Sequence, residues 1–231
     1  MANWQRHDFD TRAELAEELA AAVAGILADA IDERGAATLA VSGGSTPGLF
    51  FATLSTKDID WGNVTVLPVD ERFVPESSDR SNARLIKAKL LQGPAAAARF
   101  VPLYVPNESQ DQAAAEADDH VGRLGEPLDV VILGMGNDGH TASFFPDATE
   151  LEALLSPDQT KLVSSVHAVS AIEPRLTLTL PPIASARFIA LHVEGPEKAA
   201  TLGKVLADGA TFPITRVIDA AAAQVEIFWA P

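Results

Sequence analysis

The run Leu128-Asp129-Val130-Val131-Ile132-Leu133 closes on a glycine-rich turn, Gly134-Met135-Gly136-Asn137-Asp138-Gly139-His140. A short apolar run bounded by glycine reads as a strand buried on both faces, and therefore as part of a parallel sheet. Open α/β folds gather their ligands at the carboxyl ends of such strands. A carboxylate and an imidazole stand two residues apart in this turn, at Asp138 and His140. At that place chemistry accounts for them better than packing does.

The rest of the chain alternates in the same way. Thr11-x-x-Glu14 is a capping-box pattern that opens an Ala/Leu-rich helix ended by Gly35. Ala37–Val41 and Asn63–Val69 read as strands, Ser81–Leu91 as a helix with Ser81 and Asn82 as candidate caps, Phe100–Tyr104 as a short strand and Glu108–Leu124 as a helix. Beyond the run at 128–133, Lys161–Val166 and Arg175–Leu180 are candidate strands, and Arg187–Val193 is a clear one. Pro196–Ala207 reads as a helix, and Ile214–Val217 and Gln224–Trp229 as strands. This alternation predicts an α/β fold with a mainly parallel sheet covered by helices on both faces. The 231 residues fit one large domain more readily than two small ones.

Composition removes several classes. The chain has no cysteine, which excludes disulfides, thiolate catalysis and cysteine-based zinc sites, and agrees with a cytoplasmic setting. No apolar run approaches the ~20 residues that span a bilayer, and the first residues lack the basic-then-apolar order of a signal peptide. The net charge is −15 with scattered Lys and Arg, so no nucleic-acid or anionic-membrane partner is expected. An anionic ligand would need local cations and backbone N–H groups to overcome that mean field.

Three further segments carry chemistry. Ser42-Gly43-Gly44-Ser45-Thr46-Pro47 lies between a strand and a helix. Its glycines allow close backbone approach, and N–H groups at a helix start favour an anion such as a phosphate monoester. The Gly-Lys-Ser/Thr ending of a Walker A loop is missing. A ligand-free tight turn would use the same residues. So, in part, would the Gly-x-Ser-x-Gly elbow with Ser42 as nucleophile, although Ala40 stands at its first glycine. Asp70-Glu71-Arg72 puts two carboxylates and a guanidinium at a strand end. There Arg72 can pair with a phosphate and Asp70 can accept sugar hydroxyls or handle a proton, unless the pair is only a surface turn. Arg175 and Lys198 are isolated cations. Lys198 falls in the first turn of a helix, where a nearby anion would offset the dipole, although a solvated lysine fits there too. The glycines at 134, 136 and 139 match a dinucleotide fingerprint, but Asp138 would face a pyrophosphate and no acidic residue closes a following strand at the required distance. The alternative is that Asp138 orients His140 as a general base. Of the other histidines, His7 and His120 read as solvent residues and His192 as packed in or beside a strand.

Together these segments resemble the glucosamine-6-phosphate isomerase/6-phosphogluconolactonase family, and its lactonase branch most closely. Ser42 to Pro47, Asp70-Glu71-Arg72-Phe73-Val74-Pro75 with Ser81-Asn82, Gly134-Met135-Gly136-x-Asp138-Gly139-His140-Thr141-Ala142-Ser143-x-Phe145-Pro146 and Arg175-x-Thr177-Leu178-Thr179 stand in the family's order. The resemblance implies a single Rossmann-like α/β domain over residues 1–231 with no cofactor and no metal. It implies hydrolysis of 6-phospho-D-glucono-1,5-lactone in the oxidative pentose phosphate pathway, with a small sugar phosphate as partner; the sequence leaves the assembly open between a monomer and a homodimer. Carried over by position, His140 is the water-activating base, and Asp138 and Asp70 complete the catalytic set. Ser42, Gly43, Gly44, Ser45, Thr46, Arg72, Arg175 and Lys198 bind the substrate. The deaminase branch follows Asp-Gly-His with Ile-Ala-Phe-Asn-Glu, and this chain has Phe145 where that Glu falls. A deaminase, or a non-catalytic sugar-phosphate regulator, is the alternative.

Overall fold

The computed structural model describes residues 3–107, 109–125 and 127–231. Its first half runs β1 (Trp4–Asp8), α1 (Arg12–Arg34), β2 (Ala37–Val41), α2 (Gly48–Leu54), β3 (Val64–Pro68), β4 (Asp70–Arg72), α3 (Asn82–Lys89), β5 (Arg99–Phe100) and α4 (Gln110–Gly122). The second half runs β6 (Val130–Leu133), α5 (Leu151–Leu154), β7 (Val163–Val166), β8 (Arg175–Leu178), α6 (Leu180–Ala184), β9 (Phe188–Glu194), α7 (Pro196–Val205), α8 (Pro213–Ala220) and β10 (Val225–Ala230).

Local chemistry sets the boundaries of α1. Thr11 stands in extended conformation and its hydroxyl accepts from Glu14 N at 3.1 Å, while Glu14 reaches back to Asp10 N at 3.2 Å. Gly35 takes φ 78° and ends the helix, its N–H donating to Ile31. Leu15, Leu19, Val23 and Leu27 form the stripe that α1 buries.

Among the described residues the strands form two sheets. The larger has the order β1-β10-β9-β6-β2-β3-β5 with every pair parallel. Side chains alternate across it. Leu39, Val41, Val130 and Ile132 pack beneath α1 to α3, whereas Ala40, Val131 and Leu133 face the core built with α4, α6 and α8. Both faces are covered, as the alternating sequence implies. The chain leaves β2 toward β3 on one side and leaves β6 toward β9 on the other. The switch in strand order therefore lies between β2 and β6, where an open α/β sheet leaves a crevice beyond its carboxyl ends.

Four features differ from the sequence reading. A second, antiparallel sheet β4-β8-β7 stands beside the first. Residues 214–217 are not a strand but belong to α8, because Pro213 fits the first helical turn and Ile214, Val217 and Ile218 repeat at helical spacing. The strand expected at Phe100–Tyr104 pairs only at its start: Val101 N still donates to Val66 at 2.9 Å, and the next residue of β3 that faces this strand is Pro68, which has no N–H to continue the ladder. The edge strand β1 had no apolar signature, and His7 on it is half-buried and bonded to Glu226 on β10 at 2.6 Å. The helix expected from Glu108 is α4; Glu108 itself lies outside the described residues.

The amino end of β6 is locked by Asp129, which is 5% exposed. Its Oδ2 accepts from Thr38 N at 2.8 Å and Thr38 Oγ1 at 3.1 Å, and its Oδ1 accepts from the Arg34 guanidinium. Asp129→Ala leaves these donors without partners, so unfolding free energy should fall by about 2 kcal/mol. Denaturant titration checks this. Activity should persist, because Asp129 sits at the sheet edge opposite the crevice.

Candidate active site

Two loops meet at the crevice. Ser42 N donates to Ile132 at 2.9 Å, and Ser42 Oγ accepts from Gly134 N at 3.0 Å, so one residue ties the end of β2 to the end of β6. Gly44 takes φ 91°, which only glycine adopts readily. A Cβ on Gly43 would lie 1.9 Å from Asn82 Oδ1, so the loop needs glycine there to pass α3. Among the described residues no protein acceptor meets the N–H groups of Gly43, Gly44, Ser45 and Thr46. Lys198 reaches this loop from α7, with Nζ 3.1 Å from Thr46 Oγ1. Burial pushes the Lys198 pKa down, and the carboxylate of Glu194 pushes back. A bound anion would relieve that cost.

The second loop holds the imidazole. Gly136 N donates to His140 O at 2.9 Å and Gly139 N to Gly136 O at 3.0 Å, folding the turn back on itself. Thr141 Oγ1 closes it on Gly134 O at 2.8 Å. His140 Nδ1 lies 2.6 Å from Asp138 Oδ1. A carboxylate only accepts, so Nδ1 carries the proton and Nε2 keeps its lone pair. The ring rests on Phe145 with centroids 4.6 Å apart. Ala142 takes φ 47°, a strained conformation for a side chain and one that accumulates at functional sites.

The smaller sheet supplies the rest. Arg72 on β4 pairs directly with Arg175 on β8. Two guanidiniums in register repel each other unless an anion lies near. Burial lowers the Arg175 pKa and nearby Asp70 raises it, at 4.0 Å. Asp70 Oδ2 accepts from Ser143 Oγ at 2.6 Å and Oδ1 from Asn82 Nδ2 at 3.2 Å, joining the His140 loop to α3. Glu71, between Asp70 and Arg72, is fully buried and faces away. It accepts from Asn82 N at 2.8 Å, Ala83 N at 2.7 Å and Ser81 Oγ at 3.1 Å, anchoring the start of α3. Burial raises its pKa against the pull of those N–H groups.

The cleft between these parts has a volume of about 490 Å³. Every residue nominated from the sequence lines it except Asp138, which stands behind His140. Residues not nominated for the site also line it: Arg80, which the sequence did not single out, and Asn82, Phe145 and His192, which it read as a helix cap, a motif position and a packed strand residue. Arg80 is held at the rim by Glu173 at 2.7 and 2.9 Å. Contacts such as this join residues far apart in sequence, and no local pattern announces them. Among the described residues no three His, Asp or Glu side chains converge as metal ligands, and no helix is long and apolar enough to cross a membrane.

The model of the family described as glucosamine-6-phosphate isomerases/6-phosphogluconolactonase matches residues 10–229. A 6-phosphogluconolactonase of Mesorhizobium japonicum is 56% identical over 229 residues, covering 99% of this chain and 95% of its own length. One from Rhizobium meliloti is 50% identical over 227 residues, covering 97% of this chain and 98% of its own length. The crystal structure of a 6-phosphogluconolactonase from Shewanella baltica superposes with a TM-score of 0.95 at 38% identity, covering 99% of this chain and 98% of that one. The matched span contains both crevice loops, β4, β8 and the start of α7, and on that evidence the chain belongs to the glucosamine-6-phosphate isomerase/6-phosphogluconolactonase family.

Proposed function

We propose that the chain hydrolyses 6-phospho-D-glucono-1,5-lactone to 6-phospho-D-gluconate, as one catalytic domain in the cytoplasm serving the oxidative pentose phosphate pathway. One observation carries this reading. The Asp138-oriented imidazole of His140 lines the same cleft as Lys198 and the glycine loop at 42–46, whose N–H groups from Gly43 to Thr46 meet no protein acceptor among the described residues. The names of relatives at 50% identity and above support the same activity.

In this mechanism Lys198, the loop N–H groups, Arg72 and Arg175 hold the phosphate and fix the ring. His140 Nε2 takes a proton from water as the water oxygen bonds to C1. Asp138 stabilises the imidazolium through Nδ1. The tetrahedral oxyanion accepts from N–H groups of the glycine turns. It collapses with cleavage of the C1–ring oxygen bond, and the imidazolium returns its proton to that oxygen. The product acid then ionises. Asp70 acts from the wall, where Ser143, Asn82 and Arg175 already hold its carboxylate.

Two rival readings find less support. Phe145 is 5% exposed and packs on His140 and 5.4 Å from the Arg175 guanidinium, so an apolar ring occupies the place where the deaminase branch has a carboxylate. Ser42 accepts from Gly134 and has no basic partner among the described residues, as a nucleophilic serine requires. The deciding assay is acid release from freshly generated lactone, corrected for spontaneous hydrolysis. Rates no faster than the blank would overturn the proposal. Lys198→Ala should raise KM for this lactone about 10–100-fold, the range for a charged hydrogen bond to an anion. Kinetics on unphosphorylated glucono-1,5-lactone should barely move.

A further inference from the structure

Strand β9 sends Ala190, His192 and Glu194 to the α1 and α2 face. Ala190 is an ordinary core residue. His192 is not: it is 2% exposed, its Nε2 lies 3.0 Å from Glu194 Oε1, and its Nδ1 is buried with no partner among the described residues. The carboxylate accepts, so Nε2 is the donor and Nδ1 is left a bare lone pair. The ring stands edge-on to Phe50, with centroids 6.0 Å apart. A leucine would fill this space without an orphaned acceptor, so packing alone does not explain the imidazole.

His192 also forms part of the cleft wall that holds Thr46 and Lys198. Glu194 lies just before the turn that opens α7, and its charge acts on the Lys198 ammonium. Arg12 approaches the other Glu194 oxygen, Oε2, at 3.4 Å from a half-exposed position, leaving Oε1 to His192. We infer that His192 is a positioning residue for anion binding: its bond to Glu194 fixes the end of β9 where the chain turns through Gly195 into α7, and so sets Lys198 beside Thr46 in the cleft. The inference rests on the reading that the substrate phosphate lies at Lys198.

His192→Leu should raise KM for the phosphorylated lactone about 10-fold, with kcat changed by less than about twofold and unphosphorylated lactone unaffected. His192→Gln keeps an N–H donor near the Nε2 position and should return KM most of the way. Arg12→Ala should leave KM at the wild-type value. A His192→Leu enzyme with unchanged KM overturns the inference. So does a fall in kcat without a rise in KM, or an equal KM rise in Arg12→Ala. If His192→Leu does not fold, Glu194→Ala, which removes the acceptor of the same bond, carries the same test. Calorimetric binding of 6-phosphogluconate separates this inference from the proposed activity. Absence of lactone turnover in the wild type defeats the activity, whereas equal product affinity in wild type and His192→Leu defeats the role of His192.

Discussion

Replacing His140 with alanine is expected to lower kcat by about 10²–10⁴-fold, the contribution of a positioned general base, while KM for the phosphorylated lactone stays within a few-fold. The split follows from geometry. His140 stands on the β6 loop, whereas the cations assigned to the phosphate come from α7, β4 and β8, so truncating the ring removes no binding charge. Asp138→Asn tests the same dyad more gently. An amide 2.6 Å from Nδ1 can donate to it, which favours the tautomer with the proton on Nε2 and leaves no lone pair facing water. It should therefore lose activity with little change in stability, since Asp138 is an exposed loop residue. Wild-type turnover by His140→Ala, measured after subtraction of spontaneous hydrolysis, would remove His140 from the mechanism.

What could be read from sequence was what neighbouring residues decide. Thr11, Glu14 and Gly35 fix both ends of α1 through bonds that span a few positions, and the structure has them there. The turn that brings His140 against Asp138 was legible for the same reason: two residues and three glycines make it. The misreadings come from longer range. The β-branched residues of 214–218 have strand propensity, but their burial against α6 and the sheet core makes the helical spacing win. The second sheet depends on Asp70–Arg72 finding Arg175–Thr177 across the fold, which a three-residue strand cannot signal. Glu71 looked like half of a carboxylate pair in the site, and only its bonds to Asn82 and Ala83 identify it as the anchor of α3. His192 was read correctly as a packed strand residue, yet its orphaned nitrogen and its neighbour Lys198 are visible only in three dimensions.

Adding one methyl group to Gly136 should be nearly as damaging as removing the imidazole. A Cβ there would lie 2.3 Å from both His140 Cε1 and Nδ1 and 2.6 Å from Asp138 Oδ1, closer than real Cβ contacts allow. The dyad folds directly over the bare Cα, so Gly136→Ala must push the ring aside or open the turn held by the Gly136 N–H to His140 O bond. Displacing a catalytic group by about 1 Å costs on the order of 10² in rate, and kcat should fall by about that factor with KM little changed. Gly134 provides the contrast. A Cβ on it would meet only Ser42 Cβ at 3.8 Å and Oγ at 4.0 Å, ordinary contact distances, so Gly134→Ala should stay within a few-fold of wild type. The two alanines stand two residues apart in one loop and cost similar backbone freedom. Equal losses in both would assign the effect to general loop strain, whereas a loss confined to Gly136→Ala ties turnover to the seat of the His140–Asp138 pair.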